Sequence, residues 1–222
     1  MIFVQSFPLP PVNRREVLRY AGAKEETPEL AALLDETYAL AQPLLTGTVC
    51  WSFFPVTEKN TVLNLGFTET KSQALCRNLA GCHQIAVFAA TLGLGLDRLI
   101  ARYGFQSPAT MLMLQALGAE RIEALCDTFC EWLRQDAAKN ALHPVPRFSP
   151  GYGDLPLDMQ RDIFRVLDCP RKIGLTLNES LLMSPSKSVT AIVGLSRCSG
   201  PAPKNRCSQC GKTDCMYRRT TI

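Results

Sequence analysis

A long helical pattern over residues 107–139 limits most strongly how this chain can fold. Ser107 and Pro108 supply an N-cap and a first-turn proline. Apolar residues then recur at near-helical spacing, at Met111, Leu114, Leu117, Ile122, Leu125, Phe129 and Leu133. A helix of this extent is about 50 Å long, so the rest of the domain has to pack along it. Gly118 predicts a close packing point or a kink within it.

Shorter elements surround that helix. Stretches rich in β-branched and aromatic residues predict strands at 48–54, 61–67, 85–91, 180–183 and 188–195. Capping residues and apolar periodicity predict helices at 13–20, 27–42, 72–79, 93–104 and 158–167. Strands and helices do not alternate strictly, which indicates an α+β fold with a mixed or antiparallel twisted sheet and flanking helices. We expect an N-terminal α/β part at 1–106, a core at 107–196 and a Cys-rich tail at 197–222.

Composition narrows the class of protein. A chain of 222 residues with 46% hydrophobic residues can bury one core and carry a small appendage. The net charge of +4, without a clustered basic face, does not indicate nucleic-acid binding. The N-terminus lacks the features of a signal peptide, and the longest apolar run, 85–96, is too short to span a bilayer. We therefore expect a cytoplasmic protein without a membrane partner, whose cysteines are thiols or metal ligands.

The C-terminal segment carries a candidate metal site. Its four cysteines follow the pattern C-x8-C-x2-C-x4-C, at Cys198, Cys207, Cys210 and Cys215. The segment has almost no large apolar residues, so it cannot fold on a core of its own. A metal held by four thiolates would supply the missing folding energy. Zinc and an iron–sulfur cluster both fit this spacing, and the sequence leaves the two alternatives open.

A turn signal, Pro150-Gly151, stands between Arg147 and Tyr152. Proline presets φ at the first central position of a turn, and glycine accepts a positive φ at the second. Arg147 offers a fork of donors for a carboxylate or phosphate, and Tyr152 offers a face that attracts a cation or stacks on a base. This combination suits a ligand with a carboxylate, a ring system and a positive centre, such as S-adenosylmethionine. The alternative is a surface turn with a packed tyrosine and a solvated arginine.

Two stretches resemble the activation domain of cobalamin-dependent methionine synthase. Arg147, Gly151 and Tyr152 match that family's Arg-x-x-x-Gly-Tyr-Pro motif. The sequence at 174–185 is similar to its Gly-Met-x-Leu-Thr-Glu-Ser-x-x-Met-x-Pro stretch, and the likeness covers roughly 107–195. Gly153 stands where the motif has proline, which predicts a looser turn after Tyr152.

The resemblance implies an activation-domain fold and a site for S-adenosylmethionine. Arg147 would bind the methionine carboxylate, the backbone around Pro150 and Gly151 would line the ligand, and Tyr152 would lie near the sulfonium or the adenosine. Glu179 matches the family's glutamate, with either a ligand-binding or a structural role. The ligand's ammonium would pair with a carboxylate of the long helix, at Glu123 or Asp127.

The resemblance also implies partners. In the family, cobalamin oxidised to cobalt(II) is restored when an electron arrives from a donor such as flavodoxin or ferredoxin and S-adenosylmethionine supplies a methyl group. This chain lacks the Asp-x-His-x-x-Gly motif of cobalamin domains. We therefore expect it to act in trans on a separate methionine synthase or corrinoid protein, as a methyltransferase component that is not catalytic alone. An iron–sulfur tail would relay the electron.

Two other function classes remain open at this stage. The first is a zinc- or iron–sulfur-containing interaction module without S-adenosylmethionine chemistry, which would contact protein or nucleic acid through its basic tail. The second is a stand-alone methyltransferase, although the chain lacks the Gly-rich loop between a first strand and helix that dinucleotide-type folds use.

Overall fold

The computed structural model describes residues 1–197. The four cysteines of the predicted metal site, Cys198, Cys207, Cys210 and Cys215, lie outside the described residues.

The described part contains ten strands, seven α-helices and one 3-10 helix (Gln42–Leu44). The strands are β1 (Phe3–Ser6), β2 (Thr48–Pro55), β3 (Thr57–Lys59), β4 (Val62–Asn64), β5 (Glu69–Thr70), β6 (Cys82–Thr91), β7 (His143–Pro144), β8 (Thr176–Leu177), β9 (Met183–Ser184) and β10 (Ser188–Ser196). The helices are α1 (Arg14–Tyr20), α2 (Pro28–Ala41), α3 (Gln73–Asn78), α4 (Leu94–Gln106), α5 (Pro108–Ala138), α6 (Met159–Leu167) and α7 (Cys169–Ile173).

A five-stranded sheet in the order β1-β2-β6-β10-β7 forms the centre, and each of these pairings is antiparallel. Strand β6 lies between β2 and β10, and its register with β10 runs from Thr91 opposite Ser188 to Cys82 opposite Ser196. Every side chain from Ile85 to Thr91 is buried because helices cover both faces of the sheet. Two small antiparallel sheets, β3-β4-β5 and β8-β9, lie apart from it.

Helix α5 covers one face of the sheet. Its apolar side packs on alternate residues of β2, β6 and β10, together with α1, α2 and α4. Aromatic side chains fill the centre of this layer, with ring centroids of Phe129 at 4.7 Å from Phe88 and 5.3 Å from Trp51. Large buried rings of this kind contribute much of the free energy of folding, so this layer is the main core.

The opposite face carries a second core. Residues Ile85, Val87 and Ala89 of β6 point to this side, where α3, α6 and α7 cover them. Helix α6 places Ile163 and Leu167 fully in that core. The two faces use alternate residues of the same strand, as the period of two in a strand requires.

The long helix agrees with its sequence pattern. Helix α5 is continuous from Pro108 to Ala138, with the Ser107 hydroxyl accepting a hydrogen bond from the Thr110 amide as N-cap. Gly118 is therefore a packing point rather than a kink. A Cβ there would lie 2.8 Å from Leu96 Cδ2 and 2.9 Å from Lys187 Cε.

Other boundaries differ from the sequence predictions. The predicted strand at 61–67 shrinks to β4 (Val62–Asn64), and the predicted strand at 180–183 is wrong because only Met183 of that stretch is in a strand. Leu181 has φ of +62°, a left-handed conformation that ends extended structure, and it lies in the turn between β8 and β9. No pattern in the sequence predicted β1, β3, β5, β7, β8 or α7.

A buried ion pair ties the N-terminal segment to α5. Glu120 and Arg121 are neighbours in the chain, and Arg121 is only 1% exposed. The Arg121 guanidinium donates to the carbonyl oxygens of Pro10 and Pro11, while Glu120 Oε1 accepts from the Asn13 amide at 3.1 Å. All these partners come from the segment that leads into α1, so the pair fixes the position of that segment on the long helix.

Candidate functional site

The segment from Arg147 to Asp154 is anchored at both ends. Phe148 exchanges two backbone hydrogen bonds with Ile192 of β10, at 2.8 and 2.9 Å. At the other end, the Asp154 carboxylate accepts from the Ser72 hydroxyl at 2.5 Å and from the first two backbone amides of α3 at 2.8 and 3.1 Å. These bonds connect the segment to both the sheet and a helix N-terminus.

The hydrogen bond from Ser72 and those from the α3 amides lower the pKa of Asp154 to about 2. Gly153, next to it, has φ of +56°, which the ring of a proline cannot adopt. A Cβ at Gly153 would also lie 2.9 Å from Ala74 Cβ. Gly153, which stands where the family motif has proline, therefore has a backbone conformation that the motif's proline could not adopt. The hydrogen bonds to Asp154 anchor the residue that follows Gly153. The predicted looseness of the turn relative to the family motif stays a prediction.

The predicted Pro150-Gly151 turn is confirmed. The Tyr152 amide donates to the Ser149 carbonyl oxygen at 3.2 Å, and Gly151 has φ of +88°. A positive φ at the third residue is the feature of a turn that glycine accommodates. The turn leaves the Tyr152 side chain 65% exposed.

Arg147 lies between two carboxylates of α5. Its Nη2 is 2.6 Å from Glu123 Oε2, and its Nη1 donates to Asp127 Oδ1. The two acids are one helical turn apart, so they share a face of α5. Burial alone would lower the pKa of Arg147, but the nearby carboxylates raise it, so the guanidinium stays charged. This ion cluster of Glu123, Asp127 and Arg147 carries a net charge of −1.

A groove of about 850 Å³ opens beside the ion cluster. This volume is in the range of small-molecule sites. One wall is the α5 face with Glu123, Asp127 and Cys130, and another is the Arg147 segment with Pro150 and Tyr152. The remaining wall comes from α6, β9 and the start of β10, through Gln160, Met183, Ser188, Val189 and Thr190. The lining therefore combines charged side chains of α5 and the Arg147 segment with neutral side chains of α6, β9 and β10.

The structure brings together four of the six predicted ligand-binding residues: Arg147, Pro150, Tyr152 and Glu123 all line the groove. Gly151 supplies the bend and does not line it. Glu179 lies on the exposed turn between β8 and β9, where its carbonyl oxygen accepts from Arg161 at 2.9 Å, and it does not line the groove either. Asp127, the other carboxylate considered for the ammonium, joins the same ion cluster.

Cys126 and Cys130 lie next to the ion cluster on α5. Burial raises the pKa of both thiols, that of Cys126 strongly, so both stay protonated at neutral pH. Within residues 1–197, no group of three or more His, Cys, Asp and Glu side chains could hold a metal ion. None of the helices within residues 1–197 combines the length and the hydrophobicity that a bilayer-spanning helix needs.

Sequence reasoning missed Gln160 and Thr190. Both side chains are buried, both line the groove, and the Gln160 Oε1 and Thr190 Oγ1 atoms have no hydrogen-bond partner among the described residues. In the sequence, each is a polar residue within an apolar pattern, Gln160 in that of α6 and Thr190 in that of β10. Such residues are too common for the pattern to identify either one as a site residue.

Comparisons with known proteins point to one family. Residues 76–200, more than half of the chain, match the family model described as vitamin B12 dependent methionine synthase, activation domain. No curated protein sequence matches the chain. A solved structure described as the crystal structure of the MetH reactivation domain bound to AdoHcy has a TM-score of 0.66 at 17% identity, covering 91% of this chain and 80% of that one. This likeness confirms the predicted α+β class.

Proposed function

The chain belongs to the activation-domain family of vitamin B12-dependent methionine synthase, and from this premise we propose that it binds S-adenosylmethionine in the groove beside Arg147. It would then support reductive methylation of cob(II)alamin carried by a separate methionine synthase or corrinoid protein. The observation that carries the proposal is the ion cluster of Glu123, Asp127 and Arg147 in the wall of a ligand-sized groove.

The charges of the cluster complement an α-amino acid. A guanidinium binds a carboxylate through two parallel hydrogen bonds, and a carboxylate accepts from an ammonium. Arg147 and its two acidic partners offer both functions within one side-chain length. S-adenosylmethionine adds a sulfonium, so its net charge of about +1 offsets the −1 of the cluster at neutral pH.

The exposed ring of Tyr152 supports the same ligand. Its side chain stands at the rim of the groove, within the turn that follows Arg147. An aromatic face attracts a cation by about 0.5–2 kcal/mol, depending on how far the pair is removed from water. In our proposal Tyr152 therefore lies over the sulfonium or the adenosine, and the S–CH₃ bond faces the groove opening.

The reaction that follows balances with one external electron. The donor reduces cob(II)alamin on the partner, and the cobalt then attacks the methyl carbon. The cobalt–carbon bond forms as the sulfur–carbon bond breaks, and the electron pair stays on sulfur, which leaves S-adenosylhomocysteine. The role of this chain is to hold the sulfonium with its methyl group toward the partner, because proximity and orientation lower the barrier to transfer.

Calorimetric titration with S-adenosylmethionine tests the proposal. Arg147→Ala should weaken binding by about 2–3 kcal/mol, which is roughly 30- to 150-fold, because it removes a charge-assisted bidentate contact. Arg165→Ala is the matched control, since Arg165 is an exposed arginine that pairs with Asp162 outside the groove. Equal affinity of wild type and Arg147→Ala would remove Arg147 from the site.

Decarboxylated S-adenosylmethionine separates the carboxylate contact from general damage to the groove. This ligand keeps the sulfonium, the ammonium and the adenosine but has nothing for Arg147 to bind. Wild type and Arg147→Ala should therefore bind it with affinities within about threefold of each other. A loss as large as that for the intact ligand would contradict the assigned role of Arg147.

A further inference from the structure

Two cysteines from distant parts of the sequence meet in the second core. Cys50 lies in β2 and Cys169 is the first residue of α7, and both side chains are fully buried where α7 packs on β2. Their thiols hydrogen-bond to each other. Cys82, a third buried thiol of the same core, has its sulfur against Gly194 of β10 instead. The second core therefore holds two thiols, Cys50 and Cys169, in direct contact.

The element that carries Cys169 is short and bends at both ends. Helix α7 has only five residues, and it is flanked by Asp168 with φ of +48° and Gly174 with φ of +64°. Strand β2, which carries Cys50, is held in the sheet between β1 and β6. A disulfide needs a sulfur–sulfur distance of about 2.0 Å, so two thiols in hydrogen-bond contact have to approach further. A small shift of the single turn of α7 would supply this approach while β2 stays in place.

We propose that Cys50 and Cys169 form a reversible redox pair, which a low-molecular-weight disulfide oxidises to a bond that joins α7 to β2. In the first step the Cys50 sulfur attacks one sulfur of the external disulfide, so a mixed disulfide forms and one external thiol leaves. The Cys169 sulfur then attacks the Cys50 sulfur and expels the second external thiol. The pair gives up two electrons and two protons, and the external disulfide takes up both. Neither cysteine lines the groove beside Arg147, so this inference is independent of the proposed function.

The surroundings of the two sulfurs give them different roles. The attacking group in thiol–disulfide exchange is the thiolate. The hydrogen bond from Cys169 lowers the pKa of Cys50, and the charge of Lys172 on α7 acts in the same direction, while burial opposes both. The same hydrogen bond and burial raise the pKa of Cys169. Cys50 is therefore the attacking thiol, and Cys169 resolves the mixed disulfide.

The pair lies directly beneath a short surface helix. Pro170, Arg171 and Lys172, which follow Cys169 on α7, are all exposed. Local opening of such an element costs less free energy than unfolding of the whole domain. An opening of α7 is therefore enough to bring a small disulfide to the buried sulfurs.

Disulfide mapping tests the pair in the full-length wild-type protein. The reduced protein is incubated with glutathione disulfide and glutathione at rising ratios, both in the folded state and during refolding from urea, so that slow access cannot hide the bond. Free thiols are then blocked with N-ethylmaleimide in acidic urea, and the peptides are analysed by mass spectrometry without reduction. We expect a peptide pair linked through Cys50 and Cys169 by either route, which dithiothreitol converts back to two thiols. Absence of the linked pair by both routes, or glutathione retained on Cys50 without the link, would overturn the inference.

Thermal unfolding of the oxidised and the reduced protein gives a second readout. A bond between Cys50 and Cys169 closes a long loop of the chain, so oxidation should raise the Tm of wild type by about 5 °C or more. Cys169→Ala should lose this rise, whereas Cys82→Ala, which removes another buried thiol of the same core, should keep it. An equal rise in both variants would assign the effect to other cysteines and contradict the inference. If Cys169→Ala fails to fold, the peptide mapping of wild type decides the question by itself.

Discussion

At Arg147 the free protein already supplies the charges that a ligand would meet. Both terminal nitrogens of its guanidinium donate to acids of α5, one to Glu123 and one to Asp127. A ligand carboxylate therefore has to join or displace these contacts, while its ammonium takes over the acids that are released. Such an exchange keeps every charge paired, which is why a zwitterion suits the cluster better than a simple anion.

Asp154 gives a pH-dependent prediction. The pKa of this carboxyl is about 2 in the folded protein and near 3.8 in the unfolded chain. A depressed pKa adds stability that is fully present above pH 4 and is lost as the pH falls toward 2. The free energy of unfolding of Asp154→Asn should therefore fall less than that of wild type over this window. Urea titrations at several pH values between 2 and 6 would measure the difference.

The control for Asp154 is a second aspartate at the surface, Asp136, which is partly exposed. Asp136→Asn removes a carboxylate that pairs with Lys139 near the end of α5 and touches neither the Arg147 segment nor α3. Its unfolding curve should keep the pH dependence that wild type shows below pH 4. If Asp154→Asn and Asp136→Asn behave alike, the hydrogen bonds from Ser72 and the α3 amides do not stabilise the ionised form.

At the scale of helices and strands, the sequence predicted those elements whose ends and apolar pattern are set by neighbouring residues. Helix α5 has its cap, its first-turn proline and its apolar period in the chain itself, and its predicted extent is nearly correct. Strand β1 was missed because all four of its residues are exposed, so it carries no burial pattern. The predicted strand at 180–183 failed because Leu181 turns left-handed while the Asn178 side chain accepts from the Leu182 amide at 2.9 Å.

In the candidate site too, the features set by neighbouring residues were predicted, and those set by packing were not. The Pro150-Gly151 turn is local, and its geometry was predicted from two residues. The acids that face Arg147 lie 24 and 20 positions earlier in the chain, on α5, and only packing against the sheet brings them together. The sequence offered Glu123 and Asp127 as candidate partners of the ligand's ammonium, but it did not decide between them. Nothing in the local sequence places Thr190 at an open strand edge, because that depends on where β7 ends.

The buried pair Glu120–Arg121 predicts a large change in stability. Arg121→Ala leaves the Glu120 carboxylate buried without its charge partner and removes the donors to Pro10 and Pro11. We expect a loss of about 3–5 kcal/mol in the free energy of unfolding, measured by chemical denaturation. The N-terminal segment should also become more accessible to protease in this variant.

A double variant distinguishes lost charge pairing from lost packing. In Glu120→Gln/Arg121→Met no uncompensated charge is left inside, so the cost should be smaller than that of Arg121→Ala alone. Exposed Arg134→Ala, which breaks the surface pair with Glu131, should cost less than about 1 kcal/mol. A double variant less stable than Arg121→Ala would show that the pair acts mainly through the contacts to Pro10, Pro11 and Asn13.

At the scale of the whole molecule, one strand connects the proposed ligand site to the tail. Strand β10 contributes Ser188 and Thr190 to the groove and ends at Ser196, two residues before Cys198. Among residues 1–197 no group of three or more His, Cys, Asp and Glu side chains could hold a metal ion. In our proposal the electron comes either through the cysteine tail or directly from a separate donor.

Replacing two tail cysteines tests these alternatives in the full-length chain. Cys207→Ser/Cys210→Ser removes the C-x2-C pair, so it should abolish metal binding, measured by metal analysis and absorption spectroscopy after anaerobic purification. The affinity for S-adenosylhomocysteine should stay within about twofold of wild type, because the groove is built from residues 123–193. If the tail holds an iron–sulfur cluster, methylation of cob(II)alamin on the partner should also be lost. A colourless wild-type protein with one equivalent of zinc would contradict the relay, and the electron would then pass directly from the donor to the cobalamin.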